Sequence, residues 1–260
     1  MTFDLAEKSR LQAVRIAGAG VKFGGVQAVA PATFSVSVGE SVALLGPSGA
    51  GKTTMLRLIG GEVKPSTGQV DLMGRSISTL QSGRELASTV GMVHQQFDLV
   101  PNLSALQNTL VGNLARWGLA RSLVSLIIPL ERRTALAALT RVGIGDKADL
   151  RARQLSGGEQ QRVAIARVLV QDPAIVLADE PVASLDPSRA RETLGILVGE
   201  AGERPRTLVA SMHSVELARD YFDRFIGLRN GEIMFDSPSR DVRDDMLEKL
   251  YRIEGLRLEA

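Results

Sequence analysis

The sequence predicts an α/β fold in three parts: a core of parallel strands and helices, an antiparallel β subdomain ahead of it, and an α-helical subdomain inserted within it. Three observations carry this. Residues 40–45 read as a buried strand, followed by Gly46-Pro47-Ser48-Gly49-Ala50-Gly51-Lys52-Thr53 and a helical stretch to Ile59 that stops at Gly60-Gly61. That is the strand, Gly-rich loop and helix order of a phosphate-binding loop, G-x-x-x-x-G-K-[ST]. Ala174-Ile175-Val176-Leu177-Ala178 is continuously apolar, which suits a central parallel strand covered on both faces. Between about 98 and 153, Leu103, Leu106, Leu110 and then Leu136, Leu139, Val142 recur at helical spacing.

With 260 residues the chain can hold one α/β domain carrying a subdomain. Lys+Arg 31 against Asp+Glu 29 leaves +2 and no basic stripe, so nucleic acid is not the expected partner. A cysteine count of 0 excludes disulfides and thiolate metal sites, and two histidines weigh against zinc. Residues 1–8 lack the apolar core of a signal peptide, and no run of about 18 apolar residues exists to span a bilayer. The expectation is a cytosolic protein whose membrane role comes through a partner.

Taken in order, residues 14–23 and 32–38 alternate apolar and polar, as strands of a half-buried antiparallel sheet do, with Gly24-Gly25 turning between them. Phe23 ends the first strand and is either a face for stacking adenine or an ordinary strand aromatic. In the loop that follows, glycines let several N–H groups point at one anion, and the helix N-terminus adds partial positive charge. Lys52 then reaches the β- and γ-phosphates of a nucleotide and the Thr53 hydroxyl meets Mg²⁺. A chance match to this loop is about one in a hundred for such a chain. Residues 69–72 and 89–93 are short strands, and Gln95 leaves the second; it could bind Mg²⁺ or the attacking water, or be a solvated loop amide. Residues 123–130 are unusually apolar, as buried helix core or as a docking surface.

Leu155-Ser156-Gly157-Gly158-Glu159-Gln160 opens a helix running to about Val170. Its Ser-Gly-Gly start makes a second anion site, or a plain serine cap with Glu159 in the first turn. The strand 174–178 ends in Asp179-Glu180, two carboxylates at the sheet edge where ligands bind, suited to metal binding by one and water activation by the other. Asp186 with Pro187 reads as N-cap and N1. Residues 206–211 form the next strand, with His213 just beyond its end; Asn230-Gly231 signals a type I′ hairpin between 224–229 and 232–235. Residues 241–251 close as an amphipathic helix with Met246, Leu247 and Leu250 inward.

In this order the phosphate loop, Gln95, the Leu155-to-Gln160 signature, Asp179-Glu180, Ser184-Leu185-Asp186 and His213 resemble the ATP-binding subunit of ABC transporters, over about 11–251. The resemblance implies a P-loop NTPase (RecA-like) core over about 11–97 and 154–251, a helical subdomain over about 98–153, and a tail at 252–260. It implies ATP held by the loop from Gly46 through Thr54, with Phe23 on adenine, and Mg²⁺ on Thr53, Gln95 and Asp179. Glu180 would polarise the attacking water, His213 contact the γ-phosphate, and Gln95 sense Mg²⁺ and the permease. Ser156 and Gly158 of the signature would close on ATP held by a second copy, with Asp186 communicating across that homodimer. Phe23 stands where Tyr or Trp is commoner, and His94 where many members have an aromatic.

Residues 96–101, the 121–129 insert, residues 179–187 and terminal Leu250-Tyr251 are similar to ATPases of phosphonate importers, apart from Val182-Ala183 where most read Thr-Ser or Thr-Asn-Ala. The implied assembly is a homodimer on integral-membrane permease subunits at the cytoplasmic face of the membrane, and through them a solute-binding protein. Two alternatives stay open: a soluble ATPase module of a cytosolic enzyme complex such as carbon–phosphorus cleavage, or an importer ATPase for another solute such as an amino acid.

Overall fold

The structure, a computed structural model, describes residues 11–80, 83–115, 131–183, 185–199 and 206–252. The apolar segment 123–130, the insert 121–129, Ser184 and the tail from 253 onward lie outside the described residues. In chain order come β1 (Gln12–Phe23), β2 (Val26–Ser37), β3 (Ser41–Leu45), α1 (Lys52–Ile59), β4 (Thr67–Leu72), β5 (Arg75–Ser76), α2 (Gly83–Thr89) and β6 (Val90–Val93). Then follow α3 (Ala105–Leu110), α4 (Arg132–Arg141), α5 (Gly157–Gln171), β7 (Ile175–Asp179), α6 (Pro187–Val198), β8 (Thr207–Ser211), α7 (Val215–Tyr221), β9 (Arg224–Arg229), β10 (Glu232–Pro238) and α8 (Asp244–Tyr251).

The strands make two sheets, an antiparallel one ordered β2-β1-β4-β5 and a larger one ordered β10-β9-β3-β8-β7-β6. In the larger sheet every pair is parallel except β10 on β9. Its inner strands are apolar on both faces because both are covered. Val42 and Leu44 of β3 pack with α1 and the antiparallel sheet, while Ala43 and Leu45 pack with α3, α4, α5, α6 and α7. The register pairs Leu44 with Ser211 and Ser211 with Asp179, so three strands finish level at one edge, each releasing a loop there.

Several boundaries differ from the sequence-based expectation, among them the end of β10 at Pro238 rather than 235 and the start of β4 at Thr67 rather than 69. β2 begins at Val26, ahead of the apolar alternation, because it is an edge strand where exposed residues and Pro31 are tolerated. α8 begins only at Asp244; Ser239–Asp241 is a 3-10 turn, and Arg219 donates to the Val242 carbonyl at 2.8 Å, taking that acceptor out of any helix. The 98–153 segment supplies α3 and α4, whose Leu106, Leu110 and Leu139 share one core cluster with Val163 and Ala166 of α5. Among the described residues no helix is long and apolar enough to cross a membrane.

Candidate functional site

The loop from Gly46 to Thr53 leaves β3 and turns into α1, as the residue types require. Gly46 has φ 147, and a Cβ there would sit 2.0 Å from the Leu228 carbonyl oxygen. Gly51 has φ 101 and would meet the Ala28 carbonyl oxygen at 2.7 Å, so only glycine fits either place. Gly51 caps α1 without a side-chain bond, which leaves the first-turn N–H groups free for an anion. The Lys52 ammonium, 6% exposed, donates to the carbonyls of Gly46 at 2.7 Å and Pro47 at 3.0 Å. Burial holds its pKa below the usual lysine value, against the opposing pull of Glu180 and Asp179.

Ser48 through Thr54 line a groove of about 590 Å³ together with Gln95, Glu180, Asn230, Gly231 and the Val26 end of β2. Phe23 pairs with Val26 at the tip of the β1–β2 hairpin and is 52% exposed; Val26 lines the groove, and Phe23 itself does not.

Opposite the loop stands the acidic edge of β7. Asp179 is 4% exposed, and its Oδ1 accepts from the Ser211 hydroxyl at 2.7 Å. The same hydroxyl accepts from the Glu180 N–H at 2.8 Å, and Gln161 Nε2 donates to the Glu180 carbonyl at 3.4 Å. These bonds grip the peptides flanking a glutamate whose φ is 52, a left-handed conformation costing about 1–3 kcal/mol for a non-glycine residue. The carboxylate is oriented by both oxygens: Oε1 lies 2.5 Å from His213 Nε2, and Oε2 accepts from Gln95 Nε2 at 3.3 Å. Gln95, Glu180 and His213, far apart in sequence, are thus one constellation around the Glu180 carboxylate; Gln95 and Glu180 line the phosphate-loop groove, and His213 does not.

Thr53, Gln95 and Asp179 offer hydroxyl, amide and carboxylate oxygen, the hard donors that suit Mg²⁺. No group of three or more His, Cys, Asp or Glu among the described residues forms a cage. The donor set fits a Mg²⁺ that arrives with substrate phosphates.

The signature lies elsewhere. Ser156 caps α5 in a reciprocal capping box: its Oγ accepts from Glu159 N–H at 3.4 Å, and Glu159 Oε2 accepts from Ser156 N–H at 2.9 Å. Lys147, foremost, and the Ser156 amide hold the Glu159 carboxyl down to about 2. Gln160 donates to the Ala152 and Leu155 carbonyls at 3.1 and 3.0 Å. Leu155 is buried, whereas Ser156 and Gly157 are exposed, and none of residues 155–160 lines the groove. Asp186 caps α6 by accepting from Arg189 N–H at 3.1 Å and also pairs with the Arg189 guanidinium.

Several residues that hold this geometry were not singled out from the sequence. Ser211 carried a faint signal, a hydroxyl ending an otherwise apolar strand, and it is 0% exposed. Gln161 and Arg167 carried none, since helical spacing does not say what a helix face meets. Arg167 donates to the carbonyls of Phe97 at 3.0 Å and Asp98 at 2.8 Å. It thereby holds a left-handed pair, φ 60 and 45, just after Gln95.

The family model for ABC transporters matches residues 29–183. The phosphonates import ATP-binding protein PhnC of Pseudomonas fluorescens (strain Pf0-1) is 44% identical over 239 residues, 91% of this chain and 90% of that one. PhnC 1 of Pseudomonas aeruginosa (strain PAO1) is 46% identical over 237 residues, 90% and 89% of the two chains. Among solved structures, a dimeric ATP-binding cassette in a post-hydrolysis state with ADP and phosphate superposes with TM-score 0.76 at 31% identity, covering 88% of this chain and all of that one. Motif order, fold and relatives agree: the chain belongs to the ABC transporter family as one of its ATP-binding, ATP-hydrolysing subunits.

Proposed function

We propose that this chain works as a homodimer that closes on two ATP molecules, hydrolyses them, and so drives the import of phosphonate through membrane permease subunits fed by a solute-binding protein. The observation that carries this is the Glu180 carboxylate, set between His213 and Gln95 across the groove from Lys52. The loop amides from Ser48 to Thr54 and the Lys52 ammonium bind the phosphates, and Phe23 stacks on the base. Glu180 polarises the attacking water while His213 contacts the γ-phosphate. Thr53, Gln95 and Asp179 would hold a bound Mg²⁺, which would neutralise charge on the phosphates. Residues 11–251 make up the ATPase unit, with 98–153 as its helical arm.

The exposed signature tip supports the dimer. Gly157 has nothing within 4 Å of where a Cβ would stand, so nothing among the described residues asks for glycine there; a triphosphate on the partner subunit would. Closure on nucleotide gives ATP its differential affinity for the closed state. The relatives' names favour phosphonate import over a soluble enzyme-complex module. The test is Glu180→Gln: it should bind ATP as wild type, lose about 10²–10⁴-fold in turnover, and elute as a dimer with ATP. A monomer under saturating ATP, or turnover within a few-fold of wild type, would overturn the mechanism.

A further inference from the structure

Gly46 opens the phosphate loop and is held by Lys52 from within the loop and by two residues from far beyond it. Its N–H donates to the Tyr251 hydroxyl at 3.2 Å, its carbonyl accepts from Lys52 Nζ at 2.7 Å, and its Cα sits against the Leu228 carbonyl. Near the other end of the loop, the Gly231 N–H donates to the Ala50 carbonyl at 3.0 Å. Tyr251 is itself anchored, since its neighbour Leu250 is 0% exposed and Arg229 Nη1 donates to the Lys249 carbonyl at 2.7 Å. β9, the Asn230-Gly231 turn and α8 therefore grip the loop at both ends. All of them lie beyond the segment that the family model matches, which stops at residue 183.

Glycine is the residue whose backbone is least determined by itself. A loop starting on glycine must be ordered either beforehand, by neighbours, or at the moment of binding, at a cost in affinity. We propose that Tyr251 is a positioning residue for nucleotide binding: its hydroxyl fixes the Gly46 peptide, and with it the carbonyl on which the Lys52 ammonium rests. The C-terminal helix thereby sets ATP affinity without touching ATP. This rests on the assignment of the groove to nucleotide.

The test is Tyr251→Phe in the full chain, which keeps the ring and removes the acceptor. Titration with a fluorescent N-methylanthraniloyl ATP should give a Kd raised about three- to tenfold, the range of one hydrogen bond. KM for ATP should rise with it, while kcat and the melting temperature hold. A merely structural tyrosine would lower the melting temperature and leave affinity alone. Hydrogen exchange on the wild type gives a second reading: the Gly46 amide should be protected, and Tyr251→Phe should speed its exchange while β7 amides keep theirs. Wild-type affinity in Tyr251→Phe, or a Gly46 amide exchanging as fast as that of exposed Gly49, overturns the proposal. Failure of the wild type to bind the analogue would instead sink the nucleotide assignment beneath it.

Discussion

One hydroxyl at the end of β8 governs the acidic edge. Ser211 accepts from the Glu180 N–H and donates to Asp179, so a side chain with no chemistry of its own holds the Asp179 carboxylate and the Glu180 backbone together. Ser211→Ala would leave a buried N–H and a buried carboxylate each short of a partner, at about 1–3 kcal/mol. It would also let Glu180 relax from its left-handed backbone. Urea unfolding should register the lost stability, and steady-state kinetics should find kcat reduced more than KM, with Ser211→Thr recovering part of both. An unchanged kcat would mean that Gln161, His213 and Gln95 suffice to aim the carboxylate.

At the level of elements, α5 ties the others together. Its first turn carries Glu159 against Lys147 and Gln161 against Glu180; further along, Arg167 holds the turn after Gln95, and at its end Gln171 donates to the Ala87 and Val90 carbonyls. One helix thus touches the helical arm, the acidic edge and β6. The Lys147–Glu159 pair is its pH-sensitive joint. Because folding holds the Glu159 carboxyl at about 2, below its ordinary 4.5, the stabilisation is fully present above about pH 4.5 and is lost as pH falls toward about 2. Glu159→Gln should melt below wild type at neutral pH, and the gap should close across that acid window. A gap that stayed constant with pH would assign the effect to packing instead.

For the whole molecule, the decisive fact is that the phosphate groove and the Ser156-Gly157 tip are separate places on one protomer. In the proposed dimer a second copy brings tip to groove. Gly157→Asp tests this without confusing assembly with folding. A helix start without steric neighbours accepts a side chain, an acidic one favours the dipole, and stability should stay within about 1 kcal/mol of wild type. The same carboxylate would face a partner's triphosphate. ATP binding should persist, while size-exclusion chromatography on the Glu180→Gln background should find the ATP-dependent dimer gone, and Gly157→Asp alone should lose turnover. A dimer that still forms would place the tip outside the interface.

How far the chain could be read depended on the range of the forces involved. The phosphate loop, the Ser156 cap, the Asp186-Pro187 helix start and the Asn230-Gly231 turn were legible because each depends on backbone conformation and on bonds within a few residues. So were β3, β7 and β8, whose unbroken apolar runs answer to burial on both faces. The sequence by itself therefore determined the α/β class, the order of its parts, and the residues Gln95, Glu180 and His213 as separate candidates. Only the tertiary structure decided that these side chains meet, that Ser211 and Gln161 hold the Glu180 backbone, and that Tyr251 reaches back to Gly46. Those contacts join residues 19 to 205 positions apart, and no local periodicity records them; they exist because parallel strands end level and because helices and turns far along the chain are packed against that edge.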